Sequence, residues 1–260
     1  MNPVCRQIRK DILHLAKVSG HGHIPTCFSV VEMLYSIYST IRHDPKNPSW
    51  ENRDIFILSK GHASLAHYCI LAECGYFKKE FLSTFGAFKS DFGCHADRFK
   101  VPGVEASTGS LGHGIGLSVG MALGIKIAKS DRRVYALIGD GEANEGSVWE
   151  AVLVAVNLGL NNLTILYDNN MSHAKGLQIN HPAEHFRGFG CEVIEVNGHD
   201  VEALKREIIK KGNKLWVIVA HTKKGYGCRT LVENHYEWHR KSPNDHEYAK
   251  LMEEICEETI

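Results

Sequence analysis

Two polar side chains at the ends of predicted strands could hold a metal ion. Asp140 lies in the run GDG (139–141), at the end of the apolar run VYALIG (134–139) and shortly before a predicted helix. Asn170 follows the next apolar run, LTILYD (163–168), thirty positions beyond Asp140. Open α/β sheets bind ligands at the carboxyl ends of their strands, where neighbouring parallel strands end side by side. The spacing therefore predicts an anionic or metallic ligand at this edge.

The same run also has features of a dinucleotide-binding fingerprint. Gly139 and Gly141 follow a strand, and Asp168 ends the next one, where an acid could bind a ribose hydroxyl. However, Asn144 stands where the third glycine of that fingerprint would fall. In addition, Asp140 would place a carboxylate beside the pyrophosphate. An NAD-binding oxidoreductase is therefore the most distant of the enzyme alternatives.

A divalent cation would reconcile Asp140 with a diphosphate. Magnesium prefers six oxygens in octahedral geometry. We expect these to come from Asp140, the amide of Asn170, a backbone carbonyl near Ser172, two diphosphate oxygens and one water. Cysteine and histidine spacings typical of zinc sites are absent, and no G-x-x-x-x-G-K-[ST] phosphate loop occurs.

Apolar patterning indicates the elements that position these groups. Helices are predicted near 4–18, 28–41, 64–75, 113–129, 146–158, 200–211 and 245–257, and strands at 54–59, 134–139, 163–168, 192–196 and 215–221. Their alternation predicts a doubly wound, mainly parallel α/β sheet flanked by helices, in a single domain over 1–260. The segment 222–244 is long and irregular, which is typical of functional loops.

Composition limits the partners and the compartment. Lys plus Arg total 30 and Asp plus Glu total 30, so no global field favours nucleic acid or a membrane surface. The N-terminus is charged throughout, and no apolar run approaches the ~20 residues that span a bilayer. Eight scattered cysteines without a C-x-x-C pair do not suggest disulfides. These features predict a cytoplasmic protein.

Several segments resemble one enzyme family. GDG followed by NN (169–170) looks like the signature of thiamine diphosphate enzymes. The runs LSKGHAS (58–64), VPGVEASTGSLGHGIGLSVGMALG (101–124) and ENHYEWH (233–239) resemble transketolase segments, in transketolase order. The resemblance covers nearly the whole chain and implies the diphosphate-binding domain of the thiamine diphosphate-binding fold.

The resemblance implies specific roles for site residues. The metal, Mg²⁺ or a substituting Ca²⁺ or Mn²⁺, would be held by Asp140, Asn170 and the main chain of Ser172. The cofactor thiamine diphosphate would be approached by Gly109, Ser110, Leu111, Gly141, His62, His239 and Asn170.

Histidines and glutamates receive further roles from the same resemblance. His21, His62, His95 and His239 would line the channel to the reacting carbon, where neutral imidazoles bind sugar hydroxyls and move protons near pH 7. His23, His113, His173 and His235 stand beside them in the sequence, and an ordinary structural role is at least as good an interpretation. Glu145 and Glu150 stand where family acids lie at the interface between chains, although a helix-start charge preference also explains Glu145.

Other positions depart from the family pattern or have a simpler explanation. Family members usually have Gln at His113, Asp at Lys175 and a small residue at Arg240. Arg240 and His235 therefore add charge near the channel and bear on substrate preference. Gly116, Gly120 and Gly124 recur on one helical face, which we interpret as close helix packing.

The implied activity is transfer of a two-carbon ketol unit from a ketose or ketose phosphate to an aldose. In the family this needs a pyrimidine-binding domain, for which the chain has no sequence left. A complementary C-terminal subunit is therefore expected, in a heterotetramer with two copies of each chain. The alternatives are the thiamine-binding subunit of a 2-oxoacid dehydrogenase and a non-catalytic regulatory homologue.

Overall fold

A five-stranded sheet forms the centre of the computed structural model, which describes residues 1–257. All its strands are parallel, in the order β1-β2-β3-β5-β4. The strands are β1 (Ile55–Leu58), β2 (Val134–Gly139), β3 (Leu163–Asn169), β4 (Glu192–Asn197) and β5 (Trp216–His221). The sequence-based prediction of a doubly wound parallel sheet is confirmed.

Helices cover both faces of this sheet. Within residues 1–257 they are α1 (Pro3–Ser19), α2 (Ile24–Ser29), α3 (Val31–Tyr38), α4 (Ser64–Glu73), α5 (His113–Ile127), α6 (Gly146–Asn157), α7 (Pro182–Gly188), α8 (Val201–Ile208), α9 (Arg229–Glu233) and α10 (Asp245–Glu257). One core cluster joins the sheet to α1–α4, α8 and α10. A second joins it to α5, α6 and α7 on the opposite face. The three central strands are buried on both sides, which explains their continuous apolar sequences.

Strand register brings the two predicted ligands together. Gly139 of β2 pairs with Asp168 of β3, so the residues that follow leave the sheet at the same level. The Asp140 N–H donates to the Asp168 carbonyl over 3.2 Å and extends the ladder by one bond. Asp140 and Asn170 consequently lie beside each other at the carboxyl edge.

Capping residues of α1 lead the chain toward that edge. The Asn2 side chain accepts hydrogen bonds from the N–H groups of Val4 and Cys5, and Pro3 occupies the first turn. Gly20 ends the helix with φ 75°, a left-handed conformation that glycine adopts at low cost. The chain then turns through 21–23 and starts α2 beside the strand ends.

The predicted helix near 28–41 is wrong as a single element. The chain forms α2 and α3 instead, with a break at Val30, whose N–H donates to the Cys27 carbonyl. At this break the Ser29 hydroxyl donates to Asp168 over 2.8 Å, a contact at the strand ends. Two short helices, α7 and α9, were not predicted, because seven and five residues are too few for a periodic apolar pattern.

Candidate active site

A cavity of about 250 Å³ opens at the carboxyl edge of the sheet. The loops after β1, β2 and β3 form its floor, and 107–111, 20–26 and 235–240 form its walls. Its lining residues are His23, Thr26, Lys60, His62, His95, Gly109, Leu111, Gly139, Asp140, Gly141, Glu142, Asn170, Ser172, His173, His239 and Arg240. Most of the predicted site residues therefore meet in one place.

Oxygens of Asp140 and Asn170 converge on one backbone N–H. The Ser172 N–H donates to Asp140 Oδ2 over 2.6 Å and to Asn170 Oδ1 over 3.0 Å. Burial, together with the nearby Asp168 carboxylate, raises the pKa of Asp140 above its usual range. A carboxylate and an amide oxygen placed this close suit a hard divalent cation, which would also offset the charge that burial penalises.

Asp140 and Asn170 alone provide too few ligands to complete a metal's coordination. Within residues 1–257 no group of three or more His, Cys, Asp or Glu side chains is arranged to hold a metal. A site with one carboxylate must complete its coordination with ligand and water oxygens, as magnesium commonly does. The Ser172 N–H, rather than its carbonyl, contacts the two side chains, so a Ser172 carbonyl ligand stays a prediction.

Asp168 sets the orientation of Asn170. It is fully buried and accepts hydrogen bonds from Asn170 Nδ2 over 2.7 Å and from the Lys60 ammonium and the Thr222 hydroxyl. Because the amide nitrogen of Asn170 is engaged there, its oxygen faces Asp140. Burial opposes ionisation of Asp168, but Lys60 and the hydrogen bonds from Thr222 and Ser29 together outweigh it and lower the pKa of this carboxyl. The sequence presented Asp168 only as a ribose-binding alternative.

Two buried lysines were missed by sequence reasoning. Lys60 is 1 % exposed and Lys224 is 4 % exposed. Lys224 Nζ donates to the Ser172 hydroxyl over 2.9 Å, and burial followed by repulsion from Lys60 lowers its pKa to about 8. Both ammonium groups interact with the Asp140 carboxylate, and their positive charge at this place suits an anionic diphosphate. Both occur in singled-out segments, 58–64 and 222–244, but lysines are so often exposed that neither suggested a buried role.

Three histidines form a cluster of rings along one wall. The ring of His23 lies 5.3 Å from that of His62 and 5.3 Å from that of His239, centroid to centroid. Burial lowers the pKa of His62 to about 2, with a further contribution from Lys60, and that of His23 to about 4, with a further contribution from His239. Both rings are neutral at pH 7. His23 therefore belongs to the site, whereas the sequence favoured only its neighbours.

His95 and His21 occupy different depths. His95 lines the cavity, packed so closely on Gly109 that an added Cβ there would lie 3.0 Å from its ring. His21 is not among the lining residues. Its Nδ1 lies 3.0 Å from Cys94 Sγ and its ring 5.3 Å from that of Phe85. His21 thus backs the segment that carries His95.

The glycine-containing loop is divided between two cavities. Leu111 lines the first, and Ser110 lines a second of about 610 Å³ between α5 and α6, together with His113 and Glu150, while Gly109 lines both. A Cβ on Gly141 would lie 2.7 Å from the His173 ring, so that a larger residue here would displace this exposed side chain.

Glu142, which the sequence analysis did not predict, is the glutamate that connects loops of the site. Buried Glu142 accepts hydrogen bonds from the Ser59 hydroxyl over 2.5 Å and from the Gly112 N–H over 3.0 Å, and so joins two loops. Burial raises the pKa of this carboxyl. Glu145 is exposed at the start of α6 and does not line the cavity.

Comparison with known proteins assigns the family. Residues 3–256 match the model "Transketolase, thiamine diphosphate binding domain". The chain is 38% identical to an apulose-4-phosphate transketolase subunit from Actinobacillus succinogenes, over 97% of this chain and 95% of that protein. It is 35% identical to the 6-deoxy-6-sulfo-D-fructose transketolase subunit SqwG of Clostridium sp., over 85% and 84%.

Single-chain transketolases are similar over a smaller share of their length. Human transketolase is 32% identical over 98% of this chain but 42% of its own. The transketolase structure from Campylobacter jejuni superposes with a TM-score of 0.87 at 28% identity, over 98% of this chain and 43% of that one. These relatives favour transketolase over a 2-oxoacid dehydrogenase subunit. The chain therefore belongs to the transketolase family and contains its thiamine diphosphate-binding domain.

Proposed function

We propose that this chain is the N-terminal, diphosphate-binding subunit of a two-chain transketolase. The convergence of Asp140 and Asn170 on the Ser172 N–H carries this proposal, together with the Lys60 ammonium bound to Asp168 and the Lys224 ammonium bound to the Ser172 hydroxyl. Asp140 and Asn170 would hold Mg²⁺, and Ca²⁺ or Mn²⁺ would substitute. The two lysines would balance diphosphate charge. Thiamine diphosphate, when bound, supplies the carbon nucleophile of ketol transfer.

The histidine cluster would manage hydroxyls and protons of the sugar. The lowered pKa values of His23 and His62 keep these rings neutral at pH 7. A neutral imidazole donates one hydrogen bond and accepts another, which matches a sugar hydroxyl. His239, whose pKa burial also lowers, and His95 extend the same wall. We assign hydroxyl binding and proton transfer to this cluster, with His21 supporting His95 from behind.

An exposed apolar surface on α5 and α6 is our candidate contact surface for the second polypeptide. Leu117 and Ile127 of α5 are 45% and 72% exposed, and Leu153 and Val154 of α6 are 49% and 46% exposed. Patches of this kind mark protein contacts. The relative from Actinobacillus succinogenes has nearly the length of this chain and is named as one subunit of its enzyme, which supports a separate partner. The proposed assembly has two copies of each chain.

The glycines of α5 belong to this surface. An added Cβ at Gly116, Gly120 or Gly124 would find no heavy atom within 4 Å. No helix within residues 1–257 packs closely against these glycines, so the close helix packing predicted from the sequence is not made within the described chain. Their backbone is open for close approach by the partner, which we propose takes the place of that helix. Glu145 and Glu150 lie exposed on α6 near the same surface.

We further propose an anionic sugar as substrate. Two relatives are named for apulose 4-phosphate and for 6-deoxy-6-sulfofructose, both of which carry an anionic group. Arg240 lines the cavity and is exposed, without an ion pair in the described part of the chain.

No helix within residues 1–257 is long and apolar enough to cross a membrane. The cytoplasmic location stays a prediction.

The decisive experiment is reconstitution. This chain is purified together with its partner subunit, supplied with thiamine diphosphate and Mg²⁺, and assayed for ketol transfer between phosphorylated sugars. Transfer that needs both chains and both cofactors is expected. Turnover of a 2-oxoacid in place of ketol transfer would favour the dehydrogenase alternative, and cofactor binding without turnover would favour a regulatory homologue.

A further inference from the structure

The segment that carries Lys224 is held in place by a buried polar cluster beneath it. Arg9 of α1 is fully buried and donates to both oxygens of Glu32 of α3, over 2.6 and 2.7 Å. The Nε–H of Arg9 donates to the Tyr226 carbonyl over 2.7 Å. The guanidinium also lies 5.1 Å from the Tyr226 ring centroid. The cluster thus joins two helices to the segment that follows β5.

His199 connects this cluster to the neighbour of Lys224. Its Nδ1 lies 3.1 Å from Glu32 Oε2, and its Nε2 accepts the backbone N–H of Lys223 over 2.8 Å. A backbone N–H can only donate, so Nε2 carries no proton and the ring proton is on Nδ1, where it donates to Glu32. The ring also stacks on Tyr226 at 3.5 Å between centroids. The His199 ring is therefore held in one orientation by three contacts: it donates to Glu32, accepts from the Lys223 N–H and stacks on Tyr226.

The backbone around these residues is packed too closely to rearrange freely. A Cβ on Gly198 would overlap the Thr222 side chain, and one on Gly227 would lie 2.8 Å from Arg9 Cδ. Gly227 therefore brings the chain against Arg9, and Gly198 brings the residue before His199 against the residue before Lys223. Two residues after Lys223, the Gly225 N–H donates to the Pro25 carbonyl over 2.9 Å.

We propose that His199 is a positioning residue for the cofactor site. It fixes the Lys223 backbone through Nε2 and so holds the Lys224 ammonium against the Ser172 hydroxyl, beside Asp140. The loop contact stands on geometry alone, whereas its effect on thiamine diphosphate rests on the proposed function. His199 itself touches neither the cavity nor a reacting group.

Three substitutions separate the contacts of this ring. His199→Gln can keep an acceptor for the Lys223 N–H, since its amide oxygen reaches the place of Nε2. His199→Asn is shorter and can keep only the donor to Glu32. His199→Phe keeps the stacking on Tyr226 and loses both polar contacts. His246→Phe, at an exposed histidine of α10, is the matched control.

Hydrogen exchange of the full chain measures the loop contact directly. Loss of one hydrogen bond should speed exchange of the Lys223 amide about five- to tenfold in His199→Phe and His199→Asn. The Gln and His246→Phe variants should exchange like the wild type, and amides of β2 should be unchanged in all four. Faster exchange in β2 as well would indicate general loss of stability and overturn the proposal. So would a Gln variant that exchanges like Phe.

Cofactor titration of the enzyme assembled with its partner gives the second readout. The apparent KM for thiamine diphosphate should rise about five- to tenfold in the Phe and Asn variants. At saturation kcat should stay within about twofold of wild type. An unchanged KM alongside faster Lys223 exchange would overturn the positioning role. A wild-type assembly without ketol transfer would contradict the proposed function, while the exchange result would still decide on the loop contact.

Discussion

The carboxylate of Asp140 is held in place by backbone donors and lies in a site that penalises its charge. It accepts the N–H groups of Gly141 and Ser172 over 2.7 and 2.6 Å, yet its pKa is raised by burial and by Asp168. Such a group is positioned at a cost to stability. A bound cation would recover that cost.

Removal of this carboxylate should therefore separate binding from folding. We expect Asp140→Ala to abolish binding of thiamine diphosphate with Mg²⁺, more than about 100-fold, because the site loses its carboxylate ligand. The midpoint of thermal unfolding should fall by no more than a few degrees, since repulsion with Asp168 is relieved. Calorimetric titration and thermal unfolding measure the two effects. Wild-type affinity in this variant would show that the metal assignment is wrong.

Individual residues were predictable where a motif carried them. Asp140, Asn170, His62 and His239 lie in short runs with fixed spacing, and the structure brings all four to one cavity. Lys224 occurs in an irregular loop whose path depends on Arg9 and His199, more than twenty residues away in sequence. Such a contact leaves no local pattern. Residue types alone therefore could not identify it.

The ion pair between Arg9 of α1 and Glu32 of α3 stabilises the fold only while Glu32 is ionised. Burial opposes its ionisation, but Arg9 and then His199 outweigh it and lower the pKa to about 2, against a usual value of 4.5. Because the folded pKa lies below the unfolded one, the stabilisation is complete above about pH 5. It is lost as pH falls toward 2.

Glu32→Gln tests this pH dependence. At pH 7 the variant should be less stable by about 3 kcal/mol, because the Arg9 charge stays buried without a carboxylate. The difference from wild type should shrink steadily between pH 5 and pH 2, where the wild-type carboxyl becomes protonated and resembles the amide. Urea unfolding at several pH values measures it. A difference that stays constant with pH would contradict the ionised pair.

Two glycines of α5 face opposite environments and should respond oppositely to alanine. A Cβ on Gly114 would lie 2.6 Å from the Ser59 Cα, whereas one on Gly116 would meet no atom within 4 Å. Gly114→Ala should therefore destabilise the chain by more than about 1 kcal/mol through displaced backbone. Gly116→Ala should stabilise the isolated chain by about 0.5 to 1 kcal/mol, since alanine favours the helix.

Assembly reverses the expectation for Gly116. If the partner packs there, Gly116→Ala should weaken co-purification of the two chains while it raises the unfolding midpoint of the single chain. Chemical unfolding and size-exclusion chromatography of the mixture measure the two effects. Unimpaired assembly in Gly116→Ala and in a bulkier Gly120→Leu would move the proposed contact surface elsewhere.

Helices and strands were predicted from the sequence wherever the apolar pattern extended over enough residues. The five strands and α1, α4, α5, α6, α8 and α10 fall within a few residues of their predicted positions. The break at Val30 was not predictable, because it belongs to a distant contact between Ser29 and Asp168. Local apolar spacing continues across it without interruption.

At the scale of the molecule, activity should require a second chain. Single-chain transketolases are more than twice as long as this chain, which spans 42% of the human protein. We expect the isolated chain, with thiamine diphosphate and Mg²⁺, to transfer ketol units at less than about 1% of the rate of the assembled enzyme. The two chains are expected to hold different parts of the cofactor, and catalytic groups that act together lose most of their effect when one part is missing. Coupled spectrophotometric assay of both preparations provides the comparison. Robust turnover by the pure single chain would contradict the two-chain proposal.

The exposed apolar residues of α5 and α6 also bear on how the cell must produce this protein. Newly made copies that have not met a partner present Leu117, Ile127 and Leu153 to water and to one another. Such surfaces promote aggregation and recognition by chaperones. Synthesis of the two chains in matched amounts is then expected to limit aggregation in the cell, and unpartnered copies made in excess are expected to be bound by chaperones or degraded.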